Sequence, residues 1–461
     1  MPQAELVRGL HAREQQRFTA RHPRCAELAR TGARHFLYGV PLHWMSDWGT
    51  PVPLFVQEAV GAELRCADGH VHADFCLADT AAMFGHSPPA LAQAIEAQAR
   101  GGLGTMLPGA AAPALGQLLA ARFGLPQWQM ALSATDANRF CLRWARAVTG
   151  RANILVFDGC YHGTVDEVFV DLVPDAAGSL HPRTRASLLG QVDDLTRHTR
   201  VVEFNDLPAL ERALADRSVA CVIAEPAMTN VGMVLPEPGF LEALRAACTA
   251  TGTLLLIDET HTISAGPGGY ALAHGITPDF LVLGKAIAGG LPCAVYGFGE
   301  ALADRMREAK DHAPPGHSGI GTTLAGNMLG LAAVRATLES VATEQAYAHM
   351  LAGAEALAAG LQGQIASRQL SWCVSRVGAR AEFQFCAVPP RNGREARAAM
   401  DEALESLIHL NLLNRGVLIT PFHNMMLCSP ATAPAHIDLL LRAFSDCLAE
   451  LLGGSPVQPP G

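Results

Sequence analysis

The chain has 461 residues, of which 49% are hydrophobic and 17% are charged. This balance is typical of a globular protein with a sizeable core, built as a large domain with a smaller one or as two to three domains, and it excludes a disordered chain. The net charge of −9 gives no indication of nucleic-acid binding. No apolar run approaches the ~20 residues that span a bilayer, so we expect no membrane partner.

The N-terminal residues are predicted to form a charged helical arm that extends to about residue 35. They lack the apolar core of a signal peptide. The twelve cysteines occur singly, without a CxxC pair. We therefore interpret them as reduced, mostly buried residues of a cytoplasmic protein.

A β-hairpin is predicted after the arm, because two short strands flank Asp68-Gly69, a strong two-residue turn signal. Three polar residues share one face of its second strand: His70, His72 and Asp74. A metal ion could bind there, but a polar outer face of the hairpin explains these residues without one. We expect no metal site.

From about residue 90, short apolar segments alternate with helical patterns. The predicted strands are Met130–Leu132, Ile154–Phe157, Val201–Phe204, Val219–Ala224, Thr253–Ile257, Phe280–Leu283 and Ala294–Phe298. Continuous apolar runs favour strands that are covered on both faces, in a mostly parallel sheet with helices on each side. Ligands of such sheets bind at the carboxyl ends of the strands, so polar residues at these ends are the candidate site.

The first candidate is the segment Ser133, Ala134 and Thr135, between a predicted strand and a helix whose apolar stripe runs from Ala137 to Val148. Small residues and free N–H groups at a helix start favour phosphate binding. Serine or threonine at such a position is also the usual helix cap, so the segment alone leaves both interpretations open.

Asp258 follows five mostly apolar residues, where a carboxylate needs a cationic partner. A protonated pyridine nitrogen would be such a partner, and an arginine or a helix cap is the alternative. Lys285 ends another apolar strand beside small residues, which suits Schiff-base chemistry. Of the 34 basic residues only Lys285 and Lys310 are lysines, and Lys310 lies on an ordinary charged helix face.

An aromatic platform is predicted in the loop 159–163, where Tyr161 can stack on a planar ring between two glycines. The loop, the helix start, the carboxylate and the lysine together supply what is needed to hold pyridoxal 5′-phosphate (PLP). The competing interpretation, a nucleotide-binding oxidoreductase, lacks its G-x-G-x-x-G signature.

The stretch from about residue 53 to 429 resembles the class III (ω-type) PLP-dependent aminotransferases, especially their glutamate-1-semialdehyde aminomutase-like branch. Six motifs carry the resemblance, in the family's order: Ser133–Ala137, Tyr161–Gly163, Ala224–Pro226, Ile257–Glu259, Leu283–Lys285 and GTTLAGN at 321–327. The resemblance implies the PLP-dependent transferase type I fold. We expect a large PLP-binding domain at 76–330, and a smaller α+β domain made of an N-terminal arm and hairpin (1–75) and a C-terminal segment (331–461).

The resemblance also implies roles for individual residues. Lys285 would form the Schiff base, Asp258 would pair with the pyridine nitrogen, and Tyr161 would stack on the ring. Phosphate would be bound by Ser133, Ala134 and Thr135, and by Thr323 from a neighbouring subunit of a homodimer. The other residues expected to contact the cofactor are His162, Glu225 and Thr260.

Two motifs depart from the family pattern. The usual SGTEA is SATDA here, and the usual DEV is Asp258-Glu259-Thr260, which places a hydroxyl where an aliphatic side chain covers the ring. The segment that follows, from His261 to Gly269, lacks the common Gly-Phe-Arg. These departures concern the substrate rather than the cofactor.

We therefore expect an aminotransferase that moves an amino group between an amine or amino acid and a 2-oxo acid or aldehyde, in a ping-pong reaction through pyridoxamine phosphate. An aminomutase of the glutamate-1-semialdehyde type, an amino acid epimerase and a catalytically silent PLP-binding protein remain alternatives. Trp44 and Arg380 are the candidate substrate contacts, although a packed core position is favoured over a substrate role for Trp44 and an ion pair with Glu382 or a neighbour explains Arg380 as well as a substrate role does. Arg415 and His423 are weaker candidates.

Overall fold

A computed structural model describes residues 4–453. The chain divides into two compact units. Unit 1 contains the residues up to Pro88, Ala348–Pro389 and those from Ala399 onward, and unit 2 contains Pro89–Tyr347 and Pro390–Ala398. Both unit boundaries lie later in the chain than the expected divisions at 75 and 330, and a short C-terminal segment returns to unit 2. Residues 1–3 of the expected N-terminal arm and residues 454–461 of the expected C-terminal segment lie outside the described residues.

The helices and strands alternate through most of the chain. The helices of residues 4–453 are α1 (Ala4–Arg21), α2 (Pro23–Gly32), α3 (Pro89–Gly101), α4 (Ala112–Phe123), α5 (Ala134–Thr149), α6 (Leu207–Leu214), α7 (Phe240–Thr251), α8 (Gly269–Ala273), α9 (Glu300–Asp311), α10 (Met328–Ala336), α11 (Glu344–Ser367), α12 (Gly393–Ala398), α13 (Glu402–Asn414) and α14 (Pro434–Leu451). The strands are β1 (Val56–Val60), β2 (Glu63–Cys66), β3 (Val71–Asp74), β4 (Gln127–Ala131), β5 (Asn153–Phe157), β6 (Val170–Pro174), β7 (Leu180–Thr184), β8 (Thr199–Val202), β9 (Val219–Ala224), β10 (Leu254–Asp258), β11 (Phe280–Leu283), β12 (Ala294–Phe298), β13 (Cys373–Val377), β14 (Arg380–Gln384), β15 (Val417–Leu418) and β16 (Met425–Leu427). None of these helices combines the length and the hydrophobicity that crossing a bilayer requires.

Unit 2 is organised around a seven-stranded sheet in the order β4-β12-β11-β10-β9-β5-β8. The pairs β10–β11, β9–β10, β5–β9 and β5–β8 are parallel, whereas β12 runs antiparallel to both of its neighbours. All seven predicted strands belong to this sheet, so the mostly parallel α/β architecture is confirmed. Every residue of β9, β10, β11 and β12 is buried, which is why their sequences are continuously apolar.

Helix α5 connects β4 to β5 and packs its predicted apolar stripe into the core of unit 2. Its first turn begins after Ser133, whose backbone is extended. The Ser133 hydroxyl caps the helix by accepting the Asp136 N–H at 3.2 Å. The helix ends at Gly150, which adopts a left-handed φ of 68°. The sequence Ser133–Gly150 therefore encodes both ends of the helix, and its start lies at the carboxyl end of β4.

Unit 1 contains two smaller sheets, β1-β2-β3-β15 and β13-β14-β16. The predicted hairpin is confirmed, because β2 and β3 pair antiparallel around Gly69, whose φ is 86°. Its expected polar outer face is wrong for two of the three residues: His72 and Asp74 are only 2% and 3% exposed. The Asp74 carboxylate accepts backbone N–H groups of Cys76 and Leu77, so its burial is compensated within unit 1.

Candidate active site

Asp258 and Lys285 come from adjacent parallel strands of unit 2. Asp258 pairs in register with Val282, and the Glu259 N–H donates to the Val282 carbonyl at 2.9 Å. Lys285 follows three residues later, at the start of a short 3₁₀ turn. Its φ of 45° lies in the left-handed region, which costs a residue with a side chain ~1–3 kcal/mol and is typical of functional sites. The carboxylate and the amine thus lie at the same end of the sheet.

The Asp258 carboxylate is buried and fully engaged. Its Oδ2 accepts a hydrogen bond from Asn138 Nδ2 at 2.8 Å and contacts His162 Nδ1 at 3.0 Å, while Oδ1 accepts the Thr260 N–H at 3.1 Å. Burial, the largest single effect, would raise the pKa of Asp258, but the interactions with His162, Thr260 and Asn138 together outweigh it and lower the pKa. Burial would likewise lower the pKa of His162, and the combined interactions with Asp258 and Cys160 raise it instead. Asp258 is therefore held as an anion.

The start of α5 is shaped to accept an anion. Because the Ser133 hydroxyl takes the Asp136 N–H, the backbone N–H groups of Ala134 and Thr135 are the donors of the first turn that have no intrahelical acceptor. A Cβ placed on Gly284 would lie 2.8 Å from the Ala134 Cβ, so the residue before Lys285 packs directly against this turn. Gly163 is needed as well, since a Cβ there would collide with the Thr135 hydroxyl.

Four buried polar atoms around these residues have no hydrogen-bond partner: Asn138 Oδ1, Thr260 Oγ1, His162 Nε2 and Glu225 Oε1. The Thr260 hydroxyl lies 3.4 Å from the position a Cβ would occupy on Gly284, next to the lysine. Unsatisfied buried atoms indicate a polar ligand. An anion-binding helix start, a buried carboxylate, an amine and an unpaired hydroxyl are the groups that the phosphate, ring nitrogen, aldehyde and ring of PLP require.

Tyr161 and Thr323 are the exposed members of the expected cofactor residues. Tyr161 is 39% exposed, and its ring lies 6.5 Å from that of Phe169. Thr323 is exposed on unit 2, near residues of the segment 104–108. His162, Glu225, Asp258 and Thr260 are buried, whereas Lys285 and the segment 133–135 are half-buried.

A chain of hydrogen bonds leads away from Lys285. Its Nζ lies 2.6 Å from His261 Nε2, and His261 Nδ1 lies 2.5 Å from the hydroxyl of Thr229. The Thr229 hydroxyl donates to Glu225 Oε2 at 2.5 Å. If that proton points to Glu225, the histidine carries its proton on Nδ1 and presents the Nε2 lone pair to the lysine. Burial raises the pKa of Glu225 to about 7, with smaller opposing effects from His162 and Thr229.

The predicted substrate residues belong to unit 1. Arg380 is fully buried, and its guanidinium donates to the Thr80 hydroxyl and to Met425 Sδ. Trp44 is 39% exposed and lies edge-on to Phe422, so it is not the core tryptophan that was considered. The weaker candidates also have partners: His423 Nδ1 contacts Glu382 Oε1 at 3.0 Å, and Arg415 contacts Glu450 at 3.1 Å.

Comparison with known proteins identifies the family. The family model described as "Aminotransferase class-III" matches residues 44–448 of this chain. The chain belongs to the class III aminotransferase family. Its cofactor is pyridoxal 5′-phosphate.

Among its curated relatives within this family is the glutamate-1-semialdehyde 2,1-aminomutase of Bordetella avium, which is 33% identical over 430 residues, covering 92% of this chain and 97% of that protein. A glutamate-1-semialdehyde-aminomutase from Pseudomonas aeruginosa has a similar crystal structure, with a TM-score of 0.94 and 50% identity over 98% of this chain and 99% of that one. A lysine-to-alanine variant of that protein was crystallised in complex with PMP. The crystal structure of a β-phenylalanine aminotransferase from Variovorax paradoxus is also similar, with a TM-score of 0.84 and 28% identity over 95% of this chain and 96% of that one.

Sequence reasoning did not single out three of the contacting residues: Asn138, Thr229 and His261. Asn138 is a fully buried amide in α5. Its place next to Ala137, within an apolar stripe, is the one sequence feature that could have identified it. Thr229 lies four residues after Glu225 and His261 three after Asp258, both in loops. The position of a loop side chain depends on backbone turns that periodicity does not encode.

The raised pKa of Glu225 predicts a pH-dependent stability. The folded state holds its proton more tightly than the unfolded state, whose pKa is near 4.5, so this stabilisation is complete below that value and is lost as the pH rises through about 7. In Glu225→Gln the neutral amide removes this dependence. We expect the melting temperature of the parent to fall relative to that of Glu225→Gln between about pH 5 and about pH 8, by the equivalent of at most ~3 kcal/mol. Glu96→Gln, an exposed acid, is the control; parallel curves for parent and Glu225→Gln contradict the assignment.

Proposed function

We propose that the chain is an aminotransferase that moves an amino group between an amine or amino acid and a 2-oxo acid or aldehyde. The observation that carries the proposal is the arrangement of Lys285 beside a hydrogen-bonded His261, at the same sheet end as the buried Asp258 anion. Family membership supports the cofactor chemistry, while the substrates rest on this proposal alone.

The cofactor supplies an aldehyde that binds amines and a cationic ring that accepts the electrons of a neighbouring carbon. Asp258, whose hydrogen-bonding partners lower its pKa despite its burial, would pair with the ring nitrogen and favour its protonated form. The N–H groups of Ala134 and Thr135 would hold the phosphate, with Ser133 setting the start of the helix. Thr260 and Tyr161 would contact the cofactor ring.

Lys285 would hold the aldehyde of the cofactor and, as a free amine, would accept and return a proton at the substrate. A free amine must be uncharged to accept that proton. The lone pair of His261 Nε2, at 2.6 Å, gives the lysine N–H a fixed acceptor and so aims the amine. Thr229 and Glu225 hold the histidine in the required tautomer, which makes His261 a positioning residue.

Replacement of the lysine tests the proposal. Lys285→Ala should lose the visible absorbance of the protein-bound cofactor and slow the half-reaction with every amino donor by at least ~10³-fold, because no other amine lies at the site. Stopped-flow spectra recorded with a panel of amines and α-, β- and ω-amino acids provide the measurement. Lys310→Ala, the exposed lysine of α9, is the matched control and should behave like the parent. Retention of full activity by Lys285→Ala would refute the scheme.

Replacement of His261 should change the rate of the half-reaction and not the amount of bound cofactor. His261→Ala is expected to keep the bound cofactor but to slow the half-reaction ~10²-fold and to shift its pH dependence, because the lysine amine loses its fixed acceptor. The measurement is the pH–rate profile of cofactor bleaching in single turnovers. His274→Ala removes an exposed histidine of the following segment and serves as control. An unchanged profile in His261→Ala would assign the histidine to packing alone.

An aminomutase of the glutamate-1-semialdehyde type is the second candidate, favoured by the names of the 33% and 50% identical relatives. An epimerase or a silent PLP-binding protein has no such observation in its favour.

The requirement for an acceptor separates the two candidates. For an aminotransferase we expect multiple turnovers only when a 2-oxo acid or aldehyde is added to the amino donor, since each half-reaction consumes the form of the cofactor that the other restores. Product formation is followed by chromatography with and without the acceptor. Sustained isomerisation of glutamate-1-semialdehyde without any acceptor would replace the aminotransferase proposal with the mutase.

We also propose a homodimer in a cytoplasmic location. The surface that carries Thr323 is unusually apolar: Met106 is 85% exposed, and Leu107 and Leu324 are 73% and 61% exposed. Contiguous apolar patches of this kind are typical of subunit interfaces, and burial there would let Thr323 reach the phosphate held by a neighbouring chain. None of the twelve cysteines, all of which lie within the described residues, forms a disulfide, which suits a reducing compartment.

A further inference from the structure

Unit 1 contains a buried cluster of nitrogen and sulphur ligands that the amino-transfer chemistry does not use. It consists of His22, between α1 and α2, Cys66, at the end of β2, and His72, in β3. One ligand atom from each residue lies within 4.8 Å of the corresponding atoms of the other two. All three residues are at most 2% exposed, so the cluster is closed to solvent.

The two histidines leave ring nitrogens unsatisfied inside this cluster. His22 Nδ1 contacts the Phe18 carbonyl at 2.8 Å, so this nitrogen carries the proton and the buried Nε2 is a lone pair without a hydrogen-bond partner. Neither nitrogen of His72 makes a hydrogen bond of normal geometry, although the Leu413 carbonyl is close enough to affect its pKa. A buried lone pair without a partner is destabilising, and a bound ligand would remove that cost.

The outer contacts of the histidines also suit metal binding. A metal-binding histidine commonly donates its second N–H to a backbone carbonyl, and His22 makes such a bond to Phe18.

We propose that His22, Cys66 and His72 bind a borderline divalent cation of the Zn²⁺ type as a structural site in unit 1. Two imidazoles and one thiolate are the ligand types that Zn²⁺ prefers, and a closed site is structural rather than catalytic. On binding, the Cys66 thiol releases one proton to solvent and its sulphur coordinates the metal. A second group, formed by Cys25, Cys66 and Asp68, shares the same cysteine.

The position of the cluster indicates what the cation stabilises. His22 belongs to the N-terminal arm, whereas Cys66 and His72 lie on the two strands of the hairpin. The arm already contacts the hairpin turn, because the Asp68 carboxylate accepts the N–H groups of Arg24 and Cys25 at 2.7 and 3.0 Å. A cation bound to both segments would fasten the arm to the hairpin and raise the melting temperature by mass action.

The experiment uses the full-length protein with its cofactor bound and with any affinity tag removed. Metal is stripped with a chelator, and Zn²⁺ or Co²⁺ is then added, followed by gel filtration and metal analysis. We expect about one cation per chain and, with Co²⁺, a near-ultraviolet thiolate band in the difference spectrum against the metal-free holoprotein. The melting temperature should rise with added Zn²⁺.

Matched variants assign the ligands. Cys66→Ala should lose the thiolate band, and His22→Gln and His72→Gln should weaken Zn²⁺ binding by at least ~10-fold. Cys447→Ala, another buried cysteine of unit 1, and His70→Gln, whose Nε2 contacts the Arg21 carbonyl at 3.0 Å, should bind as the parent does. The visible absorbance of the cofactor reports whether each variant is folded.

The parent alone decides the proposal if a variant does not fold. A parent protein that holds less than about a tenth of an equivalent of either cation, or whose Co²⁺ form lacks a thiolate band, overturns it. Binding that survives in both His72→Gln and Cys66→Ala also overturns it, because the cation then lies elsewhere. Because the readouts are metal content and spectra, failure here leaves the amino-transfer proposal untouched.

Discussion

The site depends on the parallel pairing of β10 with β11. That pairing puts the carboxyl ends of two apolar strands side by side, so that Asp258 and Lys285 leave the sheet at the same edge although 26 residues separate them in the sequence. Neither strand contains a polar residue before its end, because both faces are covered. The chemistry is confined to the strand ends for the same reason that the strands are stable.

Three buried acids near this edge of the sheet differ in pKa because their surroundings differ. Asp258 has His162 and Asn138 as partners and is held ionised. Burial dominates at Glu225 and Glu259 and raises the pKa of each to about 7, even though Glu259 accepts the N–H groups of Tyr270 and Ala271. A protonated pyridine nitrogen needs a permanent anion, whereas a relay to the lysine needs a group that titrates near neutrality. Only Asp258 meets the first need.

The sequence was sufficient for the sheet and for the residues that end its strands, because continuous apolar runs and strand-end polarity are local patterns. It was insufficient for the groups that contact Asp258 and Lys285. Asn138 and His261 approach them through the packing of α5 and the course of a loop, and neither is encoded in spacing. The left-handed backbone of Lys285 was equally invisible, since it requires the surrounding turn to hold a strained residue.

The hairpin of β2 and β3 also shows what sequence spacing leaves undetermined. Alternation groups His70, His72 and Asp74, yet their partners differ: the Arg21 carbonyl and the His22 ring for His70, the His22–Cys66 cluster for His72, and backbone N–H groups and His86 for Asp74. Period-two spacing tells which side chains share a face but not what covers it. His22 reaches this face from 50 residues earlier, at the junction of α1 and α2. The side chains around His72 come from two segments of the chain, so their grouping follows from packing and not from spacing along one strand.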